Sequence, residues 1–119
     1  MKPVIMIADD AMFMRRVIKR ALVRGGYETF VEVGDGREAV EQYKALRPDL
    51  VLLDITMPEC SGLEVLDAIL NEEPGAKVIM CSAVGQEAVI TQAIRRGALD
   101  FIIKPFKDEE LLKLVEASL

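Results

Sequence analysis

A short apolar run that ends in an aspartate is the sequence feature that most constrains the fold of this chain. Residues 50–53 are all leucine or valine, lie between Pro48 and Pro58, and are followed at once by Asp54. Runs of this kind and length are typical of a strand buried on both faces of a parallel sheet. An ionised carboxylate at the end of such a strand is costly without partners. The sequence therefore predicts a partner or a chemical role for Asp54.

Three further apolar runs repeat this arrangement. They are residues 4–8 before Asp9 and Asp10, residues 78–81 before Ser82, and residues 101–103 before Lys104. If these runs are parallel strands, three carboxylates, one hydroxyl and one ammonium group meet at one edge of a sheet. Open α/β sheets bind their ligands at that edge, outside the carboxyl ends of the strands.

Stripes of apolar residues at helical spacing separate these runs and predict five helices. The stripes are Met14, Val17, Ile18, Ala21 and Leu22; Ala39, Val40, Tyr43 and Leu46; Leu63, Leu66, Ile69 and Leu70; Ala88, Val89, Ala93 and Ile94; and Leu111, Leu112, Leu114, Val115 and Leu119. Residues 28–33 predict a strand near the sheet edge, and the last strand is predicted over residues 99–103. Asp9 or Asp10 is predicted to cap the first helix and Asp35 the second, with Ser61 available for the third.

Alternation of strands and helices with short connections predicts an α/β fold, in which a parallel sheet has right-handed crossovers and helices on both faces. The 119 residues fit one domain, residues 1–119, with enough apolar content for a core. Neither a signal peptide nor a membrane span is predicted, because the first apolar run has only five residues. We therefore expect a cytoplasmic protein.

Composition excludes several classes of site. The chain has no histidine, which excludes Ser-His and Cys-His catalytic pairs, and Cys60 and Cys81 do not match zinc-ligand spacing. Both cysteines are predicted to be free thiols, with Cys81 in the core. The formal charge of −5 argues against nucleic acid or an anionic membrane as a direct partner.

The motifs at the strand ends, taken in order, resemble those of response-regulator receiver domains over the whole chain. They are Asp9-Asp10, Asp54 with Met57-Pro58 and Gly62, Ser82-Ala83, and Lys104-Pro105-Phe106. Residues 9–15 are similar to the start of the first helix in stand-alone chemotaxis regulators of the CheY type. The resemblance implies a flavodoxin-like sheet of five parallel strands in the order 2-1-3-4-5.

The resemblance also implies a function in two-component signalling. Asp54 would accept a phosphoryl group from a histidine on a separate sensor kinase. Asp9, Asp10 and Asp54 would hold the Mg²⁺ that this transfer requires, and the backbone carbonyl of Thr56 would be a further ligand. Hard oxygen donors of this kind suit Mg²⁺. Receiver domains catalyse their own phosphorylation and dephosphorylation without being conventional turnover enzymes.

Two further residues are assigned to the phosphoryl group by the resemblance. The ammonium of Lys104 and the hydroxyl of Ser82 would contact its oxygens, and the peptide bond before Pro105 is expected to be cis. Ser82 and Phe101 would form the switch, in which the aromatic ring turns inward and alters the face of the fourth helix, fifth strand and fifth helix. Ile90 and Leu112 are predicted to be exposed apolar groups on that face.

The implied partners are a sensor histidine kinase, a possible phosphatase and a protein target, which for a chemotaxis regulator is the flagellar motor switch. We expect a monomer. A lone receiver of another phosphorelay and the receiver part of a longer regulator remain alternatives. Two further classes compete, a flavodoxin-like binding domain and a phosphohydrolase that uses an aspartyl phosphate. Two carboxylates after the first strand would repel a nucleotide phosphate, and Thr56 stands where such hydrolases carry a second acid.

Overall fold

A computed structural model describes residues 2–119 and contains the alternation of strands and helices that the sequence predicts. The elements are β1 (Val4–Ala8), α1 (Met12–Arg24), β2 (Thr29–Val33), α2 (Gly36–Leu46), β3 (Leu50–Asp54), α3 (Gly62–Glu72), β4 (Val78–Ala83), α4 (Glu87–Arg96), β5 (Asp100–Lys104) and α5 (Asp108–Ser118). The bounds of β1 are those predicted, and those of the other strands differ from the prediction by at most two residues. The largest difference is in β4, which continues through Ser82 to Ala83.

The five strands are all parallel and lie in the order β2-β1-β3-β4-β5, which confirms the predicted sheet. Asp54 at the end of β3 pairs in register with Cys81 of β4, and Ala83 of β4 pairs with Lys104 of β5. The carboxyl ends of β1, β3, β4 and β5 therefore meet at one edge, as the apolar runs predict.

Helices cover both faces of the sheet and divide the core into two layers. Ile18 and Leu22 of α1 and Val115 of α5 pack on one face, whereas α2, α3 and α4 pack on the other. The central strands β1 and β3 are almost wholly buried, and the edge strands β2 and β5 are partly exposed. An unbroken apolar run thus corresponds to a strand with helices on both sides.

Side-chain caps are as predicted at two helices and absent at a third. The Asp35 carboxylate accepts a hydrogen bond from the Glu38 N–H at 2.7 Å, and Ser61 forms a reciprocal capping box with Glu64. The prediction that Asp9 or Asp10 caps α1 is wrong. The N-cap is Ala11, which makes no side-chain cap, and Asp9 instead accepts from the Ala11 N–H at 2.9 Å, before the helix begins.

The predicted apolar stripe of α4 is correct for Val89 and Ala93 but wrong for Ile94. Ile90 and Ala93 face the core, and Ile90 is only 6% exposed, whereas Ile94 is 41% exposed. Ile90 is therefore not part of an exposed apolar face. Leu112 of α5 was also predicted to be exposed, but it is half-buried, because it packs against Gly25 at the end of α1. The weakly apolar sequence of α4 allowed two neighbouring stripes, and only packing against the sheet selects one of them.

Both cysteines are free, as predicted. Cys81 lies in the core, and burial raises the pKa of its thiol to about 12. Within residues 2–119, no helix combines the length and the apolar character that crossing a bilayer would require.

Candidate functional site

The three predicted acidic residues come together at the carboxyl edge of the sheet. Asp9 and Asp10 follow β1, and Asp54 ends β3. One carboxylate oxygen from each lies within 4.8 Å of the other two. Asp9 and Asp54 are buried, whereas Asp10 is exposed and open to solvent. Three carboxylates at this separation fit a hard divalent cation such as Mg²⁺, which takes oxygen ligands and keeps several waters.

Lys104, at the end of β5, supplies the ammonium group of the site. Its Nζ donates to Asp9 Oδ2 at 2.9 Å and to Asp54 Oδ1 at 3.3 Å. The peptide bond between Lys104 and Pro105 is cis, as predicted. One ammonium thus bridges the two buried carboxylates of the site.

Burial and the neighbouring charges shift the pKa of both partners. Burial raises the pKa of Asp54, the Lys104 ammonium lowers it and the Asp9 charge raises it, and the net direction is upward. Burial alone would lower the pKa of Lys104, but its bonds to Asp9 and the charge of Asp54 outweigh this and raise it. Three carboxylates against one ammonium leave a formal charge of −2 in the site.

This excess negative charge predicts that Asp54→Asn stabilises the metal-free fold by about 1 kcal/mol or more, since one buried, repelled charge is removed. The pKa of Asp54 in the folded state lies above its ordinary value of 3.8. The carboxyl group of Asp54 therefore does not destabilise the fold below pH 3.8, and it lowers the free energy of unfolding as pH rises through the folded-state pKa. Urea unfolding of both proteins in EDTA between pH 4 and 7 measures the difference, which should widen with pH. A less stable Asn variant at pH 7 would contradict the repulsion.

The remaining predicted site residues lie on the loops and strand ends around these acids. Ser82 is buried at the end of β4, and its Oγ has no hydrogen-bond partner among residues 2–119. Thr56 is exposed in the loop after β3, and its Oγ1 accepts a hydrogen bond from Gln86 Nε2 at 3.3 Å. The structure therefore places all six predicted polar residues of the site at one edge of the sheet.

Phe101 lies farther from the acids, on β5, and is 39% exposed. Phe101 pairs in register with Met80 of β4, whereas Ser82 of β4 pairs with Ile103. Phe101 and Ser82 are therefore two register positions apart on adjacent strands. The ring borders a shallow apolar groove of about 500 Å³ that is also lined by Ile94 of α4. A second groove joins Phe101 to Leu114 and Ala117 of α5, so Phe101 is an exposed apolar side chain between α4 and α5.

Two supporting residues were not identified from the sequence. Arg15 Nη1 donates to the Asp9 carbonyl oxygen at 2.6 Å while Arg15 Nε contacts Glu32 of β2 at 3.5 Å, so this arginine fixes the loop that carries the acids. Gln86 connects the loops after β3 and β4. Arg15 lies within the motif of residues 9–15, but no local pattern indicates the contact made by Gln86.

Comparison with known proteins agrees with this geometry. The model of the response regulator receiver domain family matches residues 5–116. The chain belongs to this family. It is 48% identical to the chemotaxis protein CheY of Thermotoga maritima over 109 residues, which are 92% of this chain and 91% of that protein. The family match favours a receiver domain over a flavodoxin-like binding domain or a phosphohydrolase.

Solved structures of chemotaxis and other regulators share the fold of this receiver domain. A CheX–CheY–BeF₃–Mg²⁺ complex from Borrelia burgdorferi matches with a TM-score of 0.91 and 34% identity over 96% of this chain and 87% of that one. NtrX from Brucella abortus matches with a TM-score of 0.93 and 34% identity over 100% of this chain but only 27% of its own length. Similar receiver domains therefore occur both alone and inside longer proteins.

Proposed function

We propose that this receiver domain accepts a phosphoryl group on Asp54, with Mg²⁺ held by Asp9, Asp10 and Asp54 and by the carbonyl oxygen of Thr56. The observation that carries the proposal is the meeting of three carboxylate oxygens within 4.8 Å beside the Lys104 ammonium. The phosphoryl donor is a histidine of a separate sensor kinase. Support comes from the family match and from the related complex that contains BeF₃ and Mg²⁺.

In the transfer, a carboxylate oxygen of Asp54 attacks phosphorus and forms the aspartyl phosphate. The P–N bond of the phosphohistidine breaks, and its electron pair returns to the imidazole. Lys104 already contacts Asp54 Oδ1, so its ammonium lies within reach of an oxygen added to that carboxylate. The Ser82 hydroxyl, which has no partner among the described residues, is a donor for the same group. Bound Mg²⁺ would neutralise charge on the phosphoryl oxygens.

Incubation with Mg²⁺ and acetyl phosphate should add one phosphoryl group, detected by intact-mass spectrometry and lost at alkaline pH as an acyl phosphate. Asp54→Ala should abolish the addition, and EDTA should prevent it. Asp108→Asn, which changes a surface aspartate that pairs with Arg24, should leave it unchanged. Equal phosphorylation of Asp54→Ala and the unsubstituted protein would contradict the assignment of Asp54.

Phosphorylation would signal through the face formed by α4, β5 and α5, with Ser82 and Phe101 as the switch. Ile94 and Phe101 are exposed there and border the apolar groove. The similarity to chemotaxis proteins supports the flagellar motor switch as the target, whereas the match to NtrX keeps a phosphorelay target as the alternative. For either target, the protein would act as a monomer, and a separate phosphatase would remove the phosphoryl group.

Binding to a purified motor-switch subunit tests the output. Affinity should rise when beryllofluoride and Mg²⁺ are added, and Phe101→Ala should remove most of that rise. Leu99→Ala is the matched control, since Leu99 is also exposed and immediately precedes β5. An unchanged rise in Phe101→Ala would remove this ring from the switch. No binding by a protein that is phosphorylated normally would favour the phosphorelay.

A further inference from the structure

The side chain of Gln86 makes an unusual pair of contacts beside the acidic site. Gln86 is the N-cap residue of α4, but its side chain does not cap that helix. Its Oε1 instead accepts a hydrogen bond from the Ala83 N–H at 2.7 Å, and its Nε2 donates to Thr56 Oγ1 at 3.3 Å. One neutral carboxamide thus joins the end of β4 to the loop that follows Asp54.

The direction of the Ala83 N–H follows from the strand geometry. The Cys81 carbonyl oxygen accepts a hydrogen bond from the Ile55 N–H at 3.2 Å, so the polar backbone groups of Cys81 point toward β3. Backbone groups two residues apart on a strand point to the same neighbouring strand. The Ala83 N–H therefore also points to the β3 side, where Asp54 pairs in register with Cys81.

Ser82 and Ala83, the last two residues of β4, carry one hydrogen-bond donor without an acceptor in the described part of the chain and one with an acceptor. The Ser82 hydroxyl is buried and has no acceptor among residues 2–119, whereas the Ala83 N–H is occupied by Gln86. A buried donor without an acceptor is costly. A phosphoryl group on Asp54 would bring several acceptor oxygens to this edge of the sheet. These oxygens would meet a free Ser82 hydroxyl and an Ala83 N–H that already donates to Gln86.

We propose that Gln86 is a positioning residue that opposes the phosphorylated state. Its carboxamide oxygen holds the acceptor position at the Ala83 N–H, and its amide nitrogen fixes the loop after β4 to Thr56. A phosphoryl oxygen can accept a hydrogen bond from the Ala83 N–H only after Gln86 releases it. The loop after β4 therefore moves only when a phosphoryl oxygen replaces the Gln86 carboxamide. The inference rests on the proposed phosphorylation of Asp54 and adds a residue that tunes the balance between the two states.

Calorimetric titration with beryllofluoride in the presence of Mg²⁺ tests this role. Gln86→Met keeps the length of the side chain but removes both hydrogen bonds, and it should tighten binding roughly two- to tenfold, the equivalent of one net hydrogen bond. Gln86→Glu keeps an acceptor for Ala83 and adds negative charge, so it should weaken binding. The matched control is Gln92→Met, since Gln92 is exposed on the same helix and makes no side-chain hydrogen bond within residues 2–119.

A purely structural role for Gln86 predicts a different pattern. Gln86→Met would then bind beryllofluoride as the unsubstituted protein does, or more weakly, and either result overturns the inference. Equal tightening in Gln92→Met would also overturn it. If the unsubstituted protein itself fails to bind beryllofluoride, the proposed phosphorylation fails as well. Amide hydrogen exchange checks the contact directly, because the Ala83 N–H should be protected in the resting protein and lose protection in Gln86→Met.

Discussion

Lys104→Met should destabilise the metal-free receiver domain by about 3 kcal/mol, because it leaves buried carboxylates without their shared cation. The Lys104 ammonium bonds Asp9 at 2.9 Å and Asp54 at 3.3 Å, and the Asp9 side chain is only 2% exposed. Without the ammonium, these two charges and that of Asp10 repel one another. Urea unfolding in EDTA at pH 7 measures the loss.

Mg²⁺ should recover part of this loss, since a cation that binds the folded state stabilises it by linkage. Lys113→Met on the exposed face of α5 is the matched control and should change stability by less than about 0.5 kcal/mol. The raised pKa of Lys104 means that its contribution is present below its ordinary value of 10.5 and is lost only as pH rises through the higher folded-state pKa. A Lys104→Met variant as stable as the unsubstituted protein in EDTA would refute this electrostatic account.

Gly62→Ala should cost about 2–3 kcal/mol, the upper part of the usual range for overpacking. A Cβ at this position would lie 2.6 Å from both the Asp54 carbonyl oxygen and the Ile55 Cα. These are backbone atoms, so they cannot move away by changing a rotamer. The Gly62 N–H also donates to the Ile55 carbonyl oxygen at 2.7 Å, which ties the start of α3 to the turn after β3.

Urea unfolding in EDTA and in excess Mg²⁺ tests both effects of this substitution. The variant should be less stable in either buffer, and its stabilisation by Mg²⁺ should be smaller because Asp54 is displaced. Gly75→Ala is the control, since a Cβ there would meet only the flexible side chain of Glu73, at 3.2 Å. Equal stability of Gly62→Ala and Gly75→Ala would show that the turn after β3 can relax.

Much of the site could be predicted because it depends on short segments of sequence. Each strand is a short apolar run, and the polar residue after it marks the carboxyl end. Parallel pairing brings these ends to one edge, so Asp9, Asp54 and Lys104 could be grouped before any distance was known. The caps at Asp35 and Ser61 were equally predictable, since a capping hydrogen bond spans only three residues.

The failures concern features that local sequence does not encode. Asp9 was a reasonable cap for α1, but its carboxylate bonds the Ala11 N–H and Lys104 instead. Ile90 was predicted to be exposed and Ile94 to be buried, and the structure reverses both assignments. In each case two local arrangements were comparable, and contacts with residues distant in the chain decided between them.

The sequence by itself determined the alternation of strands and helices, the strand ends that carry the acids, and the residue types that suit a divalent cation. Tertiary structure alone decided which side of α4 is buried, that Lys104 bridges Asp9 and Asp54, and that Gln86 spans Ala83 and Thr56. The physical reason is the separation along the chain over which each interaction acts. Hydrophobic periodicity and capping act over a few residues, whereas these contacts join segments up to 95 residues apart and depend on strand register and helix rotation.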